Sequence, residues 1–148
     1  MKEKICCCLG LNDAPENKLD CIKQALRCEI VQAIKDDYTL FPLALATDTG
    51  FHFAKLVLDI KKENPAIEVV AFIPKLDIVN TPLFEEILAE CDMVAVLGEK
   101  RYPFYYEFMI SPSKRIIVVE AGRIDMPYTA LSKAQLLKKE IRFININN

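Results

Sequence analysis

Lys4-Ile5-Cys6-Cys7-Cys8-Leu9-Gly10 is the stretch that decides the fold class. From residue 5 to residue 9 the run is continuous and apolar, with no polar alternation, which is the pattern of a strand covered on both faces. A strand has a side-chain period of two, so Cys6 and Cys8 point to one face and Cys7 to the other, and each face needs its own layer. Working outward, β-type runs over residues 39–46, 67–73, 93–97, 116–119 and 141–146 alternate with helical patterns, without repeats, low-complexity tracts or a linker. That alternation predicts an α/β fold with a mostly parallel sheet of about six strands, helices on both faces and the first strand near the centre. A length of 148 residues fits one domain, 1–148.

The local signals fill in this frame. Asn17 is placed to cap a first helix in which Leu19, Ile22, Leu26, Ile30 and Ala33 form one apolar stripe, widened by Cys21, Ala25 and Cys28. Pro42 removes a ladder donor from the second strand and predicts a bulge or a place beside an edge. Thr47-Asp48-Thr49-Gly50 opens the second helix, and Pro82 suits the first turn of a third, with Leu83, Ile87 and Leu88 inward. Residues 102–110 predict a short helix stopped by Pro112, and residues 128–140 a last one. The sixth strand carries Arg142, Asn145 and Asn147, which suits a partly exposed edge.

Composition excludes several classes. Nineteen Lys and Arg against twenty-one Asp and Glu give a net charge of −2, so there is no basic footprint for nucleic acid or an acidic membrane. No apolar run reaches the eighteen residues of a membrane span, and the N-terminus lacks a signal-type apolar region, which places the chain in the cytoplasm. In that compartment the six cysteines are expected as reduced, buried thiols. No Cys-x-x-Cys pair occurs, so no metal site is expected. Glycine is scarce: there are four, where average usage of about 7% would give about ten.

In an open parallel sheet, ligands sit outside the carboxyl ends of the strands. Gly10, Gly98 and Gly122 each follow a strand, and Gly50 lies in a helix start; all four suit tight turns or the close approach of a ligand to the backbone. Thr47-Asp48-Thr49-Gly50 is the best anion candidate, with amides at a helix N-terminus and two hydroxyls, although the Asp48 carboxylate would itself cap those amides and repel an anion. Asn12 falls in the loop after the first strand. Arg101-Tyr102-Pro103-Phe104-Tyr105-Tyr106-Glu107-Phe108 holds five of the thirteen aromatics, offering a ring for a base at Tyr102 or Tyr105 and a cation for a phosphate at Arg101, or a packed helix or subunit interface. His52, the one histidine, reads as a packed or surface residue, and no serine–histidine–acid triad or glycine-rich nucleotide fingerprint is present.

Ala25-Leu26-Arg27-Cys28-Glu29-Ile30, Ala54-Lys55-Leu56-Val57-Leu58-Asp59-Ile60-Lys61-Lys62 with Asn64-Pro65, residues 69–74, and Phe84-Glu85-Glu86-Ile87-Leu88-Ala89-Glu90-Cys91-Asp92 together resemble the YpsA-like branch of the SLOG superfamily. The resemblance spans residues 19–122. It implies a three-layer Rossmann-like fold whose strand-end loops hold a nucleotide or nucleotide-derived ligand. The departures fall on those loops. Cys8-Leu9-Gly10-Leu11 keeps only the glycine of a Thr-Gly-His-Arg-type turn, and Leu43-Ala44-Leu45-Ala46-Thr47-Asp48-Thr49-Gly50 keeps only Ala46 of a glycine-rich stretch. Tyr105-Tyr106-Glu107-Phe108-Met109 lacks both arginines of an Arg-Asn-Arg-Tyr-Met-type helix, and beyond Gly122 the last loop has no counterpart but Thr129.

The expectation is therefore a cytoplasmic, non-enzymatic, Rossmann-like domain with a degenerate or altered pocket, acting through weak ligand binding or as a homodimer. Tyr102 to Phe108 and the sixth-strand edge are its expected contact surfaces. The alternative is a working binder of a nucleotide or sugar phosphate, using Gly10, Asn12, Thr47, Thr49, Gly50, Gly98 and Arg101. A hydrolase using Asp13 or Asp48 as base is disfavoured, because no partner for the base is evident.

Overall fold

A computed structural model describes residues 4–10, 16–45, 48–73, 82–98, 100, 105–120 and 128–145. Strands β1 (Cys6–Leu9), β2 (Leu40–Ala44), β3 (Glu68–Ile73), β4 (Met93–Val96), β5 (Arg115–Glu120) and β6 (Glu140–Asn145) alternate with helices. The helices are α1 (Leu19–Lys35), α2 (Asp48–Lys61), α3 (Pro82–Glu90), α4 (Tyr105–Ile110) and α5 (Tyr128–Leu136). Every strand pairing is parallel, so the α/β class stands.

The strands form two sheets of three, β1-β5-β6 and β2-β3-β4, rather than the continuous sheet of six expected. Pro42 gives the reason. Ile5 and Leu40 form a single parallel bridge, with Leu40 N–H donating to Lys4 O at 3.2 Å. Two residues on, the rung on the same side of β2 belongs to Pro42, which has no N–H to donate, and the ladder between β1 and β2 stops there. On its other side β2 pairs with β3 along its whole length. Pro42 therefore lies on the edge strand of the β2-β3-β4 sheet, at the seam with the other sheet, as one of the two expectations had it, and makes no bulge.

Side chains divide by parity between two cores. Cys6 and Cys8 join Ile22, Leu26 and Ile30 of α1, Phe53 and Val57 of α2 and Ile87 of α3. Cys7 and Leu9 face Tyr106, Met109 and Ile110 of α4 and Ala130 and Ala134 of α5. The continuous apolar run of β1 is thus buried on both faces.

Several local expectations are corrected. Asn17 lies in a 3-10 turn, Glu16–Lys18, and the residue capping α1 is Lys18, which makes no side-chain capping bond. Cys21 and Cys28 are exposed: at 100° per residue they sit about 100° or more from Ile22, off the buried stripe. Leu83 is exposed rather than inward, because Phe84, Ile87 and Leu88 already supply the stripe of α3 that packs on the first core. The last helix ends at Leu136, since Lys138 turns left-handed (φ 57°) and its neighbour Lys139 N–H bonds back to Ala134 O; the strand that follows starts at Glu140.

A charged cluster ties the amino ends of the strands. Arg115, buried at the start of β5, donates to Asp36 Oδ2 at 2.8 Å and to Glu140 Oε2 at 3.2 Å. Its guanidinium lies 4.6 Å from the centroid of the buried Tyr38 ring, and Lys4 Nζ lies 4.7 Å from the same centroid. Lys4 Nζ also donates to Asp36 O at 2.7 Å. The Arg115 bond holds the Asp36 carboxyl below its usual range.

Candidate functional site

The carboxyl end of β1 meets the N-terminus of α2. Gly10 leaves the strand where Thr49, in the first turn of α2, covers it. A Cβ on Gly10 would stand 2.7 Å from Thr49 Cβ and 2.9 Å from Thr49 Oγ1, and closer still to Thr49 Cγ2. Side chains do not approach so closely, so glycine here serves close packing rather than an unusual backbone angle. Thr49 is fully buried, and its Oγ1 has no hydrogen-bond partner among the described residues. An unpaired buried hydroxyl costs about 1–3 kcal/mol, which is a stored cost at the place where a ligand was expected.

The structure therefore brings Gly10, Thr49 and Gly50 together. Asp48 opens α2, but its side chain, like Asn12, Thr47, Arg101, Tyr102 and Gly122, lies outside the described residues. Gly98 does not belong to this group: it follows β4, which lies in the other sheet from β1. Its φ of +85° explains the glycine, and a Cβ there would meet nothing within 4 Å.

The aromatic segment divides. Tyr106 is buried in the second core with Met109 and Ile110, Tyr105 packs against that core at the edge, and Phe108 is exposed. The Tyr105 and Tyr106 rings meet edge to face with centroids 6.0 Å apart. Burial pushes the Tyr105 hydroxyl pKa up. Both rings described as packed are thus committed to the fold.

No protein-family model matches the chain, and no curated protein matches it. The functional reading rests on the chain's own geometry.

A second concavity, which sequence reasoning missed, lies between α2 and α3. It is a groove of roughly 350 Å³ whose lining includes Lys55, Lys62, Leu83, Glu86, Ile87 and Glu90. His52 also lines it. Its signal in the sequence is the spacing of charge: Lys55 lies on α2 and Lys62, seven residues on, in the turn that directly follows it, while Glu86 and Glu90 are four apart on one face of the next helix. Nothing in either helix alone says that the two faces adjoin. Among the described residues no group of three or more His, Cys, Asp and Glu could hold a metal ion, and no helix is long and apolar enough to cross a membrane.

The Gly10–Thr49 contact makes a direct prediction. Gly10→Ala is expected to cost about 1–3 kcal/mol, the range of overpacking in a well-filled interior, because the atoms it strikes include Thr49 Cβ, near the backbone, rather than only the tip of a flexible chain. Adding Thr49→Gly removes all three struck atoms and should recover much of the loss in urea titration. Equal stability of Gly10→Ala and wild type would show that the contact is not tight.

Proposed function

We propose that the two sheets are halves of one doubly wound layer, in the order β6-β5-β1-β2-β3-β4 across the Pro42 seam, and that the chain is a Rossmann-like domain of the SLOG, YpsA-like kind. In this reading its ligand crevice is altered, it performs no catalysis, and it works in the cytoplasm through self-association. The observation that carries the reading is Thr49 over Gly10: the side chain of the second helix occupies the space above the first-strand glycine where a nucleotide-binding relative needs room. The parity of the two cores and the wholly buried β1 support the layered arrangement. Exposed Phe108 on α4 and Phe143 on the β6 edge support contact surfaces.

A working binder of a nucleotide or sugar phosphate is the second reading, favoured by the unpaired Thr49 hydroxyl at the start of α2. A thermal-shift panel of nucleotides and sugar phosphates separates the two. The altered-crevice reading expects no shift with any compound. A working site would add about 2.7 kcal/mol of stability at a hundred times Kd, several degrees for a chain of this size, and such a shift would overturn it. Light scattering tests the other half of the proposal, which expects a dimer.

A further inference from the structure

The α2–α3 groove has walls of opposite charge. Lys55 on α2 and Lys62 in the turn just after it, with Lys23 from α1, form one side, and Glu86 and Glu90 on α3 form the other, over an apolar floor that includes Leu56 and Ile87. Asp59, also in the lining, is held by Arg27 at 2.9 Å, whereas none of the three lysines or the two glutamates makes an ion pair among the described residues. Beside the floor stands Leu83, 43% exposed.

We infer that this groove receives a second copy of the chain about a twofold axis, α3 of each protomer lying in the groove of the other. The inference rests on the self-association proposed above and moves its surface from Phe108 and the β6 edge to the α2–α3 face, where the charges complement each other. A twofold contact presents the same patch from both sides, so the surface must complement itself. A groove with one basic and one acidic wall does so: the α3 glutamates of each copy meet Lys55 and Lys62 of the other, twice over, while Leu83 supplies the apolar contact to the floor. Opposed walls give a small anion little net attraction, which weighs against a free metabolite as occupant.

The competing surface is the β4 edge. Its Met-Val-Ala-Val sequence carries no charge, Met93 and Val96 are exposed, and among the described residues it pairs only with β3. Pairing β4 with its twofold copy, however, would bring α3, the crossover helix next to it, beside the α3 of the partner. That helix holds Glu85, Glu86 and Glu90 and no basic residue, so like charges would face each other across the axis. Charge decides for the groove.

The test is a charge swap in the full chain, followed by light scattering. Wild type should be a dimer. Lys55→Glu with Lys62→Glu, and separately Glu86→Lys with Glu90→Lys, should each weaken the dimer by at least about tenfold in Kd. An equimolar mixture of the two variants should restore it, because the swapped walls again match. All four positions are exposed, and recovery in the mixture itself shows that both variants are folded. Variants that remain dimers, or a mixture that stays monomeric, would overturn the groove while leaving self-association standing. A monomeric wild type would overturn both.

Discussion

Above pH 9 the three thiols of the first strand alone should cost the chain about 4 kcal/mol of stability per pH unit, and the chain should unfold between roughly pH 10 and 11. The cause is the first strand. Burial, as the largest effect, pushes the Cys7 thiol up to about 12 and raises Cys6 and Cys8 well above the ordinary thiol value. The unfolded chain ionises all three near pH 9, whereas the folded chain keeps them protonated. The unfolded state therefore holds fewer protons in this window, and stability falls as pH rises from the unfolded pKa toward the folded ones. Each thiol contributes about 1.4 kcal/mol per pH unit, and three adjacent thiols act in the same direction. Urea titrations from pH 8 to 11 measure this slope. Cys7→Ala should lower it by about 1.4 kcal/mol per pH unit, at a small cost at pH 7 for one lost sulfur. A stability profile flat to pH 11 would show that the strand opens to solvent without unfolding.

Arg115→Ala should cost about 3 kcal/mol at pH 7. It removes two charge-assisted hydrogen bonds, each worth about 1.5–3 kcal/mol when buried, partly discounted here because Asp36 and Glu140 remain half in water. It also removes a cation over the Tyr38 ring. Arg115→Lys keeps the charge but cannot span both carboxylates and should fall in between. The acid limb gives an independent readout. Asp36 has a folded pKa below its unfolded one, held there chiefly by Arg115, so its contribution is present above about pH 4 and is lost as the pH falls through the lowered value. In Arg115→Ala that part of the acid limb should flatten. The limb due to Asp92, which accepts Val69 N–H at 2.8 Å and pairs with Lys61 at 3.3 Å, should persist.

The period of the apolar pattern made the alternation of strands and helices legible, because burial on two faces leaves a continuous run in β1 and burial on one leaves the α1 stripe of Ile22, Leu26, Ile30 and Ala33. The glycine at residue 10 was legible as a strand-end position for the same reason. Cys21, Cys28 and Leu83 fit the stripe pattern yet are exposed, because an apolar residue at the margin of a stripe satisfies the same pattern whether it is covered or not. The helical pattern of residues 128–140 runs past the helix end at Leu136 because a lysine in a left-handed turn has no sequence signal comparable to glycine's.

The sequence by itself determined which segments are strands and helices, their order along the chain, and the absence of nucleotide fingerprints, since all of these depend on neighbours within a few residues. Only the tertiary structure decided that Pro42 sits on the seam between two sheets, that Thr49 closes over Gly10, that Arg115 reaches residues 36 and 140, and that the basic face of α2 adjoins the acidic face of α3. Each of those depends on contacts between segments distant in the chain, and a local pattern carries no record of which faces will meet.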